Sequence, residues 1–509
     1  MSRAESTDTE DLATPTSDEA PEDANTEDSP ESQDKPAPQD KPAPQDKPQS
    51  RPPSRGVLTA MRAAPSWVWD ALVAVVFTAG AVWRWLFVVR FHDPRKYVYS
   101  DMEMYVQLAK RISRSGYKLQ PYDVTHPPGL TELLIYFYRK DPSFASAVHF
   151  QAVITVLVPL VVGVLGWLAF SRNTGRWAVV VTSLYLPFVD YGGYFLAEIY
   201  LTFTATVAMA AYLGAVRVLD GAPDKKRLLP FIESTPVRAG LALVLASLAG
   251  FSMSLAMAMK MVAAPAILAF LGIHAVLTKA SRFKRKFAVV LVMGLFALPV
   301  TSWQAERCTR GNQGKFCPGS NKAAADFLMG HTGRVGKVVW KDPKSKGVVG
   351  FGSPAAYQHG YRDSVEYNFA ITDTQQNKAA AWTWIGKNKG QAVVLGFEHV
   401  FDSFGGSLPW PAVATSYWVG PQAYQYLFLL LLLFPSLVLL VDVARSRGLI
   451  GLARSQELAI MGPIFGVALS VFMATGEARY RIPWDMCFIV LAIEFYRRLR
   501  IPLREPTNG

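Results

Sequence analysis

Five groups of ionisable residues stand beside long apolar runs, each with side chains suited to acid–base or phosphate chemistry. Ser100-Asp101-Met102-Glu103 precedes Tyr105, Leu108, Ala109 and Ile112 at helical spacing, which describes an amphipathic helix at a membrane surface. A carboxylate fixed there is what a general base for a hydroxyl acceptor requires. Equally, Ser100 and Glu103 have capping-box spacing, and Asp101 suits the positive end of a helix dipole. Asp101 and Glu103 are two apart and share no helical face, so only one of them is expected to serve as base; in an extended conformation the pair is able to hold a divalent ion. Thr125-His126-Pro127-Pro128-Gly129 ends one element and starts another at a fixed angle, with His126 open to acid–base, ligand or plain structural use. Glu198, in Tyr194-Phe195-Leu196-Ala197-Glu198, suits orienting a base, binding a hydroxyl or pairing with a cation. Lys260 stands alone in Met257-Ala258-Met259-Lys260-Met261-Val262, where a charge is costly unless it snorkels or meets an anion such as a lipid phosphate. Glu477-Ala478-Arg479-Tyr480-Arg481-Ile482-Pro483 sets two arginines around a tyrosine, a fork suited to phosphate.

The elements that must position these groups are membrane spans. Half of the 509 residues are hydrophobic and 18% are charged, against about 25% charged in soluble domains; mean hydropathy is +0.16. A soluble single-domain enzyme and a fibrous protein are excluded, and three cysteines cannot frame a disulfide scaffold. Residues 1–60 form an acidic, Pro-rich tail with the repeat Asp-Lys-Pro-Ala-Pro-Gln from Asp34 and again from Asp40. Its first fifty residues carry a net charge of −10 and leave +22 on the rest. Such a segment buries too little apolar surface to fold and is expected to be disordered.

A bilayer core needs about 20 apolar residues as helix. Ten candidate spans lie at about 68–90, 145–170, 177–190, 195–216, 238–257, 261–278, 287–304, 422–443, 457–474 and 484–497. With both termini inside, the Lys/Arg-dense connections near Arg172–Arg176, Lys225–Arg227, Arg282–Lys286, Arg445–Arg447 and Arg497–Arg500 all fall on the cytoplasmic side, as the positive-inside rule requires. The chain is therefore read as an all-α polytopic membrane protein of the plasma (inner) membrane. Residues 65–304 form an N-terminal transmembrane module with a first outer loop at 91–144. A soluble-looking, irregular outer loop spans 305–421, C-terminal transmembrane helices span 422–500, and a cytoplasmic tail spans 501–509. All five charged groups lie on the outer side of this topology. Cys308 and Cys317 share the second outer loop, free or paired; Cys487 is a packing residue within a span.

The order of these motifs resembles the GT-C superfamily of membrane glycosyltransferases. The residues that carry the resemblance are Asp101 after the first span, His126-Pro127-Pro128 in the same loop, Ala197-Glu198 at the fourth span, Lys260 near the sixth and Arg479-Tyr480-Arg481-Ile482-Pro483 before the last. Over about 65–500 the chain looks most like the dolichyl-phosphate-mannose-protein mannosyltransferase-like group, glycosyltransferase family 39, and its bacterial aminoarabinose-transferase relatives. The stretch Ala381-Trp382-Thr383-Trp384-Ile385-Gly386-Lys387-Asn388 resembles a helix those proteins place before a late span. The resemblance implies a GT-C-like bundle of about ten transmembrane helices with two large outer loops. It also implies a polyprenyl-phosphate-linked sugar donor, a glycan, lipid or protein acceptor, and inversion at the anomeric carbon. In those terms Asp101 is the catalytic carboxylate. Lys260, Arg479 and Arg481 neutralise the leaving phosphate, and Glu103, His126, Glu198 and Tyr480 line the substrate site. The adjacent Asp-Glu pair of protein mannosyltransferases is interrupted here by Met102, and no carbohydrate-binding repeat domain separates spans seven and eight. No cofactor is implied as certain. The other readings are a multi-span transporter or lipid flippase, and a scaffold or sensor built around residues 305–421; transporters place their sites at the midplane between internal repeats, and none is visible.

Overall fold

The computed structural model describes residues 65–221, 235–279, 281–343, 346–352, 356, 359–405 and 421–499. The acidic tail, the connection with Lys225–Arg227 and residues 501–509 lie outside the described residues. Among the described residues, six helices are long and apolar enough to cross a membrane. They are α1 (Ser66–Leu86, carried on by wider turns), α4 (Ala145–Ala169), α6 (Glu198–Asp220), α7 (Thr235–Met259), α9 (Phe283–Gly311) and α13 (Gln425–Ala453, bent at Gly448). Two shorter apolar helices, α8 (Ala263–Gly272, continued to Leu277) and α14 (Gln456–Phe472), meet the expected spans at 261–278 and 457–474.

The two remaining expected spans fall on α5 (Arg172–Leu184) and α15 (Asp485–Arg498), of 13 and 14 residues. At 1.5 Å per residue each covers roughly 20 Å, short of the ~30 Å hydrocarbon core. Burial inside protein is the solution for α15: every residue from Asp485 to Glu494 is buried. α6 is nearly as enclosed. A helix apolar on all sides belongs in an interior, and α6 and α15 form the centre of the bundle. Helix α5 stops because Tyr185 turns extended and Pro187 starts a separate turn over Leu186–Asp190.

Ion pairs distinguish the two ends of the bundle. At one end Asp70 meets Arg172 at 3.0 Å and Arg176 at 2.8 Å, Thr174 meets Glu494 at 3.1 Å, and Arg285 meets Asp220 at 2.9 Å. Arg498 joins Glu457 and Glu494 there, so the basic connections at Arg172–Arg176, Arg282–Lys286 and Arg497–Arg498 gather at this end. The opposite end carries α2 (Asp101–Ser115), α3 (Gly129–Lys140) and residues 305–405.

The described residues of the second long loop are folded, in contrast to the irregular stretch expected. Helix α9 continues to Gly311 and a disulfide joins Cys308 to Cys317. Helix α10 (Ala323–Met329), strands β1 (Lys337–Lys341), β2 (Val348–Phe351) and β3 (Ser364–Tyr367), α11 (Thr374–Lys387) and α12 (Lys389–Phe404) follow. The sheet order is β2-β1-β3, with β1 antiparallel to β2 and parallel to β3. Leu328, Val338, Trp340, Ile371 and Ala381 make a separate apolar core, and Trp340 donates to Asn377 Oδ1 at 2.9 Å. Strands of four and five residues are too short for alternation to stand out in sequence. Trp382 and Trp384 lie on α11, so the helix expected from their motif is present.

Candidate functional site

Helix α2 is amphipathic as its spacing requires, but protein covers its apolar face. Met102, Tyr105, Val106, Leu108, Ala109 and Ile112 are buried, and they join Leu130 and Leu134 of α3 in the main core. The capping box is not formed: Ser100 makes no side-chain cap and sits at φ +53°, in the left-handed region that non-glycine residues seldom occupy. Asp101 Oδ2 accepts a hydrogen bond from Arg479 Nη1 at 2.9 Å, across 378 residues of sequence. Glu103, on another face of α2, is exposed. With both carboxylates in one helical turn, the extended arrangement that would let them share a divalent ion is not adopted.

The His126-Pro127-Pro128 turn abuts the end of α7. Gly129 makes this approach possible, since a Cβ there would lie 2.7 Å from the Ala258 carbonyl oxygen. One residue beyond Ala258, helix α7 ends at Met259 and the chain turns over Lys260–Val262 before α8. That break delivers Lys260 Nζ to Glu198 Oε1 at 2.6 Å, at the first residue of α6, where a carboxylate favours the helix dipole. Glu198 is 1% exposed. Lys260 Nζ also stands 4.7 Å from the centroid of the Tyr480 ring, and Arg479 Cζ stands 5.5 Å from the same ring. Tyr480 thus links the Lys260–Glu198 pair to the Arg479–Asp101 pair. His126 meets Tyr105 edge-on at 5.4 Å, with Nδ1 3.2 Å from Thr125 Oγ1.

Asp101, His126, Glu198, Lys260, Arg479 and Tyr480 therefore meet at one end of the bundle. Arg481 does not join them. The turn Ala478–Arg481 is helical, so side chains two positions apart point away from each other. Arg481 is fully buried, with Nε 3.1 Å from Asp485 Oδ1 and its guanidinium 3.6 Å from the Phe428 ring. Tyr185 donates to the other Asp485 oxygen at 2.5 Å. One arginine of the fork faces the site and the other ties α15 to its neighbours.

Two charged residues that sequence reading did not assign to the site complete it. Glu477 Oε2 lies 2.6 Å from Arg479 Nε; its place two residues ahead of Arg479 was the available signal. Lys322, beside α10, pairs with Asp326 at 3.4 Å and covers the Phe351 ring at 5.0 Å. Nothing in the sequence around Lys322 distinguishes it from other loop lysines.

Carboxylates and cations interleave, and each controls the next. Burial pushes the Asp101 carboxyl up, but Arg479, His126 and Lys322 outweigh it and hold Asp101 well below the usual carboxylate range. Burial, reinforced by Lys322, lowers His126 to about 3 against the pull of Asp101, leaving a neutral imidazole at physiological pH. Burial also lowers Lys260, partly offset by Glu198, and raises Glu477 against the opposing pull of Arg479. For Lys322, Asp326 and Asp101 overcome burial and raise its pKa. Arg479 stays charged: Glu477, Tyr480 and Asp101 overcome its burial.

No protein-family model matches the chain, and no curated protein is significantly similar to it. Three solved structures are similar, all of the archaeal oligosaccharyltransferase from Archaeoglobus fulgidus, a GT-C superfamily glycosyltransferase. The complex with an inhibitory peptide and a dolichol-phosphate gives a TM-score of 0.44 at 13% identity, covering 85% of this chain and 51% of that one. The form tethered to an acceptor peptide gives 0.47 at 14%, covering 86% and 51%. The apo form gives 0.46 at 14%, covering 86% and 52%. This chain thus spans about half of the protein it matches. At these levels of similarity no chemistry passes from that protein to this one, and function is read from the residues of this chain.

Proposed function

We propose that the protein is an integral membrane glycosyltransferase. In this reading it moves a sugar from a polyprenyl-phosphate-linked donor to an acceptor hydroxyl on the outer face of the membrane, inverting the anomeric carbon. The single observation that carries the proposal is the 2.9 Å pairing of Asp101 with Arg479, which sets a base beside a phosphate-binding cation from distant parts of the chain.

The donor phosphate belongs against Arg479, Lys260 and Lys322. As the bond between the anomeric carbon and the phosphate oxygen breaks, its electron pair stays on the phosphate, which becomes a dianion. Cations fixed in a partly dry site stabilise that charge more than exposed ones do. The acceptor oxygen attacks from the opposite face of the sugar and its proton passes to Asp101. One carboxylate is enough because the phosphate departs without being protonated. Glu198 holds Lys260 in place, and neutral His126 and Tyr480 are placed to hydrogen-bond the sugar.

The resting site contributes a coupling. Arg479 is held by Asp101 and Glu477, and this contact keeps the Asp101 carboxyl acidic and a poor base. A phosphate that draws Arg479 to itself removes the main lowering influence on Asp101 and raises its basicity when the donor is in place. Donor binding thereby switches on the base.

A transporter or flippase reading gains nothing from this geometry, because the charges lie at one end of the bundle and not at the midplane. The test is transfer by the purified protein in nanodiscs, using synthetic polyprenyl-phosphate sugars and release of polyprenyl phosphate as readout. Mass analysis of envelope glycans and glycolipids from cells lacking the protein identifies the product. Release that is insensitive to Asp101→Asn and Arg479→Gln overturns the assignment.

A further inference from the structure

Between the disulfide and α10 runs a strap of irregular backbone, Cys317-Pro318-Gly319-Ser320-Asn321-Lys322. Its polar groups bond to another arm of the site. Asn321 N donates to the Val124 carbonyl at 3.0 Å, Asn321 Nδ2 donates to the Pro121 carbonyl at 2.9 Å, and Ser320 Oγ donates to the Thr125 carbonyl. The strap is thus fastened along the turn that leads into His126. On its other side, Gly319 lies against the turn after α7: a Cβ there would stand 2.6 Å from Met261 Sδ, next in the chain to Lys260.

This fastening does what the disulfide cannot. The bond to Cys308 fixes Cys317 to α9, but Lys322 is five residues further on, a reach of roughly 17 Å in extended chain. Asn321, adjacent to Lys322 and 4% exposed, removes that freedom. Ser320 Oγ also accepts from Lys322 N at 3.2 Å, so the backbone of Lys322 is set before its side chain begins. What remains variable is a flexible aliphatic stem, and Asp326 meets its Nζ at 3.4 Å. A lysine with a wandering backbone gives up that freedom on meeting a phosphate, which weakens binding; one held in place gave it up on folding.

We propose that Asn321 is a positioning residue for phosphate binding: clasped to Pro121 and Val124, it presents Lys322 to the donor phosphate, with Ser320 as the second fastening. Asn321 touches no substrate and acts only through Lys322. That the phosphate belongs to a sugar donor rests on the glycosyltransferase reading above; the hold of the strap on Lys322 does not. Two consequences separate this role from plain packing. The benefit of Asn321 goes to the charged headgroup and not to the lipid tail, and it disappears when the Lys322 ammonium is absent.

The test titrates the full-length protein in nanodiscs with a polyprenyl monophosphate and, beside it, the neutral polyprenol of the same chain length. Lys322→Met is expected to weaken phosphate binding about tenfold or more. Asn321→Ala is expected to weaken it about three- to tenfold, and Ser320→Ala by a smaller factor in the same direction, with polyprenol binding unchanged by either. Added to Lys322→Met, Asn321→Ala is expected to cost less than about twofold further, because nothing is left for it to position. Should Asn321→Ala fail to fold, Ser320→Ala carries the same cycle. A loss that reaches polyprenol equally, a loss that persists undiminished in the Lys322→Met background, or wild-type phosphate affinity in both strap variants overturns the proposal. Phosphate binding that follows the expected pattern in a protein that transfers no sugar keeps the strap and removes the transferase reading. Sugar transfer whose donor KM ignores both Asn321→Ala and Lys322→Met keeps that reading and removes the strap, so the two failures are distinguishable.

Discussion

Replacing Asp101 with Asn separates the two duties assigned to this carboxylate. As a general base it contributes about 10²–10⁴-fold to the rate, so the transfer rate with donor and acceptor saturating is expected to fall by that factor. Its second duty is to hold Arg479 in the resting state, through a charge-assisted contact at 2.9 Å with both side chains largely buried. An amide of the same shape keeps a neutral hydrogen bond to Arg479, and the difference between a charged and a neutral hydrogen bond is about 1–2 kcal/mol. The donor phosphate competes for the same guanidinium, so the variant is expected to bind donor about 5–30-fold more tightly. The fold is expected to survive because Glu477, 2.6 Å from Arg479 Nε, leaves the cation compensated. The assay is single-turnover release of polyprenyl phosphate in nanodiscs, with donor affinity measured separately by competition. Loss of rate accompanied by tighter donor binding is the specific signature. A rate within threefold of wild type refutes the base assignment, and donor binding that weakens tenfold or more refutes the competition for Arg479.

Lys260→Met leaves Glu198 buried without its cation; removing one partner of a buried pair costs about 3–5 kcal/mol, so melting in detergent is expected to drop sharply, and Lys260→Met with Glu198→Gln is expected to restore melting but not transfer. Arg481→Met is expected to lower melting while leaving kcat and donor KM of the folded protein unchanged, whereas Arg479→Lys keeps the fold and raises donor KM at least tenfold. The pH profile of kcat/KM for donor, which reports the free enzyme, is expected to show no acid limb between pH 5 and 8. Asp101, whose folded pKa is lowered, contributes stability that is fully present above the unfolded value near 3.9 and is lost only as pH falls below it, and His126 at about 3 stays neutral throughout; an acid limb near pH 6.5 that disappears in His126→Gln contradicts this. Lys378→Cys, on an exposed face of α11, is expected to react with a membrane-impermeant maleimide in intact cells while Arg454→Cys is protected, and the reverse pattern inverts the orientation.

What sequence made legible here follows from how strongly a membrane constrains a chain. Long apolar runs have few alternatives to helix, so the ten expected spans all fall on helices, and lone charges such as Lys260 stand out because they are costly. Arg479 and Arg481 mark the limit. Their spacing is symmetrical about Tyr480, and only the helical turn over Ala478–Arg481 separates their directions, one to Asp101 and the other to Asp485 and Phe428. Lys322 was invisible because its place depends on where the folded unit that follows it rests, and the strands of that unit are shorter than any pattern can resolve.

The site stands where backbone regularity stops. Ser100 is forced to a positive φ, Pro127 and Pro128 interrupt the outer loop, α7 breaks before Lys260, and the chain leaves helix between Phe472 and Ala478. Each break lies at one end of the bundle, where water or protein can satisfy exposed peptide groups that hydrocarbon cannot. A regular helix carries its side chains around all faces; a helix that ends points its last groups into the space beyond. Four such ends turned toward one volume concentrate charge without burying it in lipid. The buried α6 and α15 then fix that volume, because neither is free to tilt without opening the centre of the bundle. A rigid span sets the position of Glu198, while Arg479, on the short turn Ala478–Arg481, retains the freedom that exchange between Asp101 and a phosphate demands.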